Sequence, residues 1–154
     1  MKKSFLILSA ALFFFAAGVR SETAPLKLVQ TIKLPDEIKG RFDHFAVDLS
    51  GNRVFATPED NHAVLALDEA NHCLFIACRS GDLIVFDTAS GKELVGLPIA
   101  KGVDDLVFDK DSKRIYAAAD GFVDVYQEET PDNFKFLAKV PSGPQGERRV
   151  WCRN

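Results

Sequence analysis

One short phrase occurs three times along the chain and constrains its fold more than any other feature. HFAVDLSGNRVFA (44–56), VLALDEANHCLFIA (64–77) and DLVFDKDSKRIYAA (105–118) share one order. Each sets an apolar run, an aspartate, a polar turn and a second apolar run. β-Branched and aromatic residues dominate the runs, and no long 3.6-residue period occurs beyond the N-terminal segment. Each phrase therefore reads as strand, tight turn, strand. The anchoring aspartates are Asp48, Asp68 and Asp109, separated by 20 and then 41 residues.

The longer spacing contains four runs. AVLALD, CLFIAC, LIVFD and ELVGLPI are joined by EANH, RSG and TASGKE, with Gly91 at a natural left-handed turn position. The next copy repeats the order as DLVFD, RIYAAA, GFVDVY and NFKFLAKVP. Asp68 aligns with Asp109, Leu74 with Ile115, Phe75 with Tyr116, Gly81 with Gly121 and Val85 with Val125. Four strands per 41-residue period is the arithmetic of one β-propeller blade. The shorter spacing is half a blade. After RVFAT (53–57) the third and fourth strands are missing, and PEDNHAVLALD leads straight into the next first strand. A deletion at about Pro58 to Ala63 and a genuine short blade both account for this.

LKLVQTIKL (26–34) reads as one further strand, which brings the expected number to eleven. The expected fold is all-β, made of four-stranded antiparallel β-propeller blades. About two are full and one is partial, too few to close a ring, because closure takes about four blades or more. An open arc leaves blade edges and apolar faces exposed, which favours self-association through those edges.

The first segment lies outside this pattern. MKKSFLILSAALFFFAAGVRS has two lysines, an apolar run from Phe5 to Val19 and small residues, the layout of a secretory signal peptide. The run is shorter than the roughly 20 residues of a spanning helix, so no stable membrane span is expected. The implied organisation is a signal peptide at 1–21, a partial propeller repeat domain at 22–141 and an irregular tail at 142–154. The implied location is the periplasm or the exterior. After VPSGP the repeat gives way to QGERRVWCRN, which reads as a frameshift, a premature stop or a natural polar tail. Losing Lys2, Lys3 and Arg20 with the signal peptide takes the net charge from −3 to −6. No basic stripe remains for nucleic acid. Cys73 and Cys78 fall in one strand, about 17 Å apart on opposite faces, too far to bond each other. They read as buried free thiols, while Cys152 lies in the tail.

FVDVY, LIVFDTASGKELVGLPI and KRIYAA resemble YVTN-type β-propeller repeats of exported bacterial proteins, related in fold to WD-repeat proteins and to the quinoprotein amine dehydrogenase β-chain. The shared pattern is D-x-x-x-x-R-[IV]-[FY]-x-A, then x-G-x-[IV]-x-V-[FY]-D, then T-x-[ST]-G-K, over roughly residues 26–141. IYAA and LFIA stand where the tetrapeptide would be. The resemblance implies a propeller fold, normally of about seven blades, and leaves function open.

The sequence holds no nucleophile elbow, dinucleotide fingerprint, phosphate loop or C-x-x-C pair. His62 and His72 each follow an asparagine and read as turn residues. No catalytic residue, metal site or cofactor is expected. One column is a candidate ligand site: Asp43 and His44, just before the first strand's apolar core, align with Asp104 and Asp105. Such groups suit a cation or a polar small molecule, or serve as solvated turn groups. Asp87 and Asp109, which close apolar runs, are expected to bond turn amides. The resulting expectation is a non-enzymatic exported repeat protein, a piece of a longer propeller, that binds a protein, polysaccharide or small ligand. The alternative is the remnant of a propeller enzyme, a metal-dependent lactonase or quinoprotein-like oxidoreductase subunit.

Overall fold

The computed structural model of the chain describes residues 27–38, 40–58 and 62–142. The expected signal segment, the 59–61 junction, Cys152 and the tail from 143 lie outside the described residues. The described residues are all-β, with ten strands in antiparallel sheets and no closed ring.

The repeat appears as three sheets. The partial blade is the hairpin β1 (Phe42–Asp48) and β2 (Arg53–Pro58). The first full blade runs β3 (Ala63–Asp68), β4 (Cys73–Cys78), β5 (Asp82–Asp87) and β6 (Glu93–Pro98). The second runs β7 (Asp105–Asp109), β8 (Arg114–Ala119), β9 (Phe122–Thr130) and β10 (Asn133–Pro141). Strand order within each sheet follows chain order. The first strands sit side by side, β1 against β3 and β3 against β7.

The recurring aspartate builds the hairpins. Asp48 accepts from the Gly51 amide at 2.7 Å, Asp68 from the Ala70 amide at 3.0 Å and Asp109 from the Asp111 amide at 3.1 Å. Four residues after each anchor the backbone turns left-handed, at Asn52 (φ 51°), His72 (φ 58°) and Lys113 (φ 51°). Non-glycine residues adopt this region rarely. Its recurrence at one position identifies the three turns as copies of one unit. Asp87 makes the analogous cap between β5 and β6, accepting from the Ser90 amide at 2.6 Å. Gly91 lies beyond it at φ 70°.

Alternation along the strands sets the packing. In the first full blade Val64, Phe75, Ala77, Leu83 and Val85 point to one face. They form a core with Leu106, Ile115, Ala117 and Tyr126 of the second. Phe75, Leu83, Val85 and Ile115 are fully buried. Phe75 stacks on Phe108 at 5.1 Å and meets Phe134 edge-on at 6.0 Å. Two polar latches cross the same seam. The Ala100 amide donates to buried Asp124, and the Tyr126 hydroxyl donates to the Pro98 carbonyl.

One expected strand is absent. Residues 27–34 form no ladder, and Leu28, Val29 and Ile32 are 80%, 90% and 72% exposed. Their composition suits a strand, but a strand exists only where a neighbour accepts its hydrogen bonds. This segment forms a unit separate from the blades, which lie within Pro35–Asn154. Among the described residues ten strands rather than eleven is the result.

Candidate binding surface

The side-by-side first strands create an open groove of ≈ 740 Å³. Phe45 and Val47 of β1, Leu65 and Leu67 of β3, and Val107 and Phe108 of β7 line it, with Glu69 and Lys110 among the groups at its rim. Phe45, Val47 and Val107 are 60%, 53% and 51% exposed. Alternation puts them on the strand faces that no neighbouring blade covers.

The candidate polar column occupies the starts of β1 and β7. Asp43 and His44 lie inside β1, next to a register shift between Phe42 and His44. His44 Nε2 stands 3.5 Å from Asp43 Oδ2, with Asp43 mostly exposed. The Asp104 amide donates to the Ala118 carbonyl at 2.9 Å. Asp105 turns its carboxylate back onto the Leu106 amide at 2.9 Å. No contact joins the Asp43–His44 pair to Asp104 or Asp105, and none of the four lines the groove. Among the described residues no group of three or more His, Cys, Asp or Glu side chains could hold a metal ion.

Two seams flank the groove, and their chemistry differs. Between the partial blade and the first full blade, Asp48 is buried and paired with Arg53, Nη2 to Oδ2 at 2.6 Å. Arg53 Nη1 reaches the Thr88 carbonyl of the neighbouring blade. The Gly51 amide, Arg53 and Ser50 hold the Asp48 carboxyl down, to about 2. The Ser50 amide adds a bond to Glu69 at 2.7 Å.

Between the two full blades the arginine is missing, because Cys73 stands where Arg53 and Arg114 stand in their copies. Glu128 takes the place of Thr88; the two amides bond the left-handed residues Lys113 and His72 alike. Asp68 and Glu128 therefore face each other, both buried, with no cation between them. Asn71 Nδ2 bridges them, at 2.7 Å from Asp68 Oδ2 and 3.2 Å from Glu128 Oε1. Burial first, then the charge of Asp68, push Glu128 up to about 7. Glu128 Oε2 is buried with no hydrogen-bond partner, a position that disfavours the ionised carboxyl. Burial and the same carboxylates raise the Cys73 thiol to about 12. Cys78 is raised by burial and by Asp82. Both cysteines are free, with Cys73 fully buried and Cys78 partly so.

Sequence reasoning located the turns and thiols but missed the groove and the carboxyl pair. A signal for the pair was present: an arginine position of the repeat filled by cysteine, and a threonine position filled by glutamate. No family model matches the chain, and neither does any curated protein or solved structure.

Proposed function

We propose that the chain is a non-enzymatic, exported β-propeller repeat protein of YVTN type that acts by binding. The observation that carries this reading is the groove along β1, β3 and β7. Its walls present exposed Phe45, Val47 and Val107 to a ligand with an apolar face. Contiguous apolar surface of this kind favours docking over solvation. Asp43, His44, Asp104 and Asp105 lie at or beside the starts of two of the groove-forming strands but outside its lining, so the apolar walls carry the reading.

The test uses 1-anilinonaphthalene-8-sulfonate as the probe, with Phe45→Asp and Val107→Asp as variants. Both positions are exposed, so neither substitution opens the core. Enhanced, blue-shifted emission that falls several-fold in each variant is the expected result. Emission unchanged by either substitution overturns the assignment of the groove.

A further inference from the structure

The partial blade has two strands too few, and the chain carries one strand-like segment too many. In both full blades the second strand is paired on both edges, β4 between β3 and β5 and β8 between β7 and β9. Among the described strands β2 has only β1 as a neighbour. Beside its open edge lies an apolar shelf where third and fourth strands would pack. This is a groove of ≈ 240 Å³ lined by Phe55, Leu74, Ile76 and Phe86, with Thr88 and Gly91 at its end. In the other seam this position is covered: β5 places fully buried Leu83 and Val85 over the second full blade.

The unpaired segment has the register of a blade strand. Pro98, which ends β6, precedes the start of β7 at Asp105 by seven residues. Pro35 precedes the start of β1 at Phe42 by the same seven. Counted from the anchoring aspartates, Pro35 lies thirteen residues before Asp48 and Pro98 eleven before Asp109, so Lys27–Leu34 lies within two residues of the sequence position of a fourth strand whose own blade the described residues do not contain. In an extended chain Leu28, Ile32 and Leu34 fall on one side with Gln30, and Lys27, Thr31 and Lys33 fall on the other with Val29. That is one apolar face for a shelf and one more polar face for water.

We propose that Lys27–Leu34 from a second copy of this chain adds as an antiparallel third strand to the open edge of β2, with Leu28 and Ile32 against Phe55, Ile76 and Phe86. Addition of an extended segment to an open edge supplies backbone bonds for affinity and alternate side-chain contacts for register. Each copy gives and receives one strand, so the assembly closes as a two-fold dimer. The same antiparallel pairing within one copy would end Leu34 at the far end of the sheet from the start of β1. The return is about 20 Å along the strands and about 10 Å across two strand spacings. That approaches the limit of the connection 35–41, which is shortened by the turn in which the Ile38 amide donates to the Pro35 carbonyl at 3.0 Å. The inference does not depend on the groove reading, because it concerns the opposite edge of the hairpin.

Sedimentation equilibrium on the purified full chain is the test. The wild type should sediment as a dimer at micromolar concentration. Leu28→Asp/Ile32→Asp should weaken dimerisation at least tenfold while leaving the circular-dichroism spectrum and melting temperature of the monomer intact, since both residues are exposed. The free peptide KLVQTIKL should compete and shift the wild type toward monomer. A wild type that is monomeric across that range overturns the proposal. So does a dimer that ignores both the substitutions and the peptide, because it must form through another surface.

Discussion

Replacing Glu128 by glutamine should leave the protein unchanged in acid and stabilise it in mild base. In the seam Glu128 shares a buried space with Asp68, and only Asn71 bridges them. Its carboxyl is raised from 4.5 to about 7, so the folded state holds this proton more tightly than the unfolded state does. The stabilising contribution is fully present below about pH 4.5 and is lost as pH rises through about 7. Every tenfold gain in proton affinity on folding corresponds to about 1.4 kcal/mol, so ionisation within the seam opposes folding by at most about 3–4 kcal/mol. Nearby solvent screens part of this, leaving about 1–2 kcal/mol at pH 9. Glutamine reproduces the protonated acid: its amide N–H donates toward Asp68 and its Oε1 accepts from Asn71 Nδ2. Urea unfolding at pH 4 should therefore give matching free energies for wild type and Glu128→Gln. At pH 9 the variant should lead by about 1–2 kcal/mol, or roughly 5–10 °C in Tm. Parallel pH curves, or a variant less stable at pH 9, would refute the shared-proton account of the seam.

Other expectations concern separate parts of the molecule. Phe75→Ala empties a fully buried site bordered by Phe108 and Phe134 and should cost about 3–5 kcal/mol; a loss under about 1 kcal/mol in urea titration would show that the two blades are not packed through this ring. The Asp48 carboxyl is held below its usual range, so its contribution is present above pH 3.8 and lost as pH falls through about 2. Asp48→Ala should accordingly lower the urea midpoint at neutral pH and flatten the acid limb of the stability profile, and an unchanged acid limb would count against the Asp48–Arg53 anchor. Cys73 should resist iodoacetamide in native buffer and react fully in guanidinium, as mapped by peptide mass spectrometry, because its thiol is buried and raised to about 12. Native-state labelling at Cys73 would contradict its burial in the seam.

The fold was legible because its signals are local. An aspartate that caps its own turn, a left-handed residue four positions on and a second apolar run can all be read from a dozen residues. Asp87 and Gly91 announced the β5–β6 turn in the same way, and Asn-His pairs announced turns at His62 and His72. What escaped depended on neighbours. Residues 26–34 carry the composition of a strand, but pairing is a property of two segments, and none of the described strands pairs with 27–34. Asp43, His44, Asp104 and Asp105 align in sequence, yet alignment along a strand start does not bring side chains together across the intervening β3. The Asp68–Glu128 pair spans two blades and 60 residues. It was foreshadowed only by two departures from the repeat, Cys73 for arginine and Glu128 for threonine.

The unequal completeness of the sheets has a consequence for how the molecule holds together in time. In a linear array each unit is secured by its own ladder and by its neighbours. The first full blade has both, with a partner on each face and four strands of its own. The hairpin β1–β2 has one ladder, one neighbour and an outer face where Phe45, Val47 and Val54 meet solvent. Resistance to opening therefore rises along the chain from the hairpin into β3–β5. Transient fluctuations begin at the hairpin, so its amides exchange with solvent before those of the inner strands. Half a blade is thus a soft end joined to a firm middle, held across the seam by the reach of Arg53 to the Thr88 carbonyl and by the bond from the Ser50 amide to Glu69.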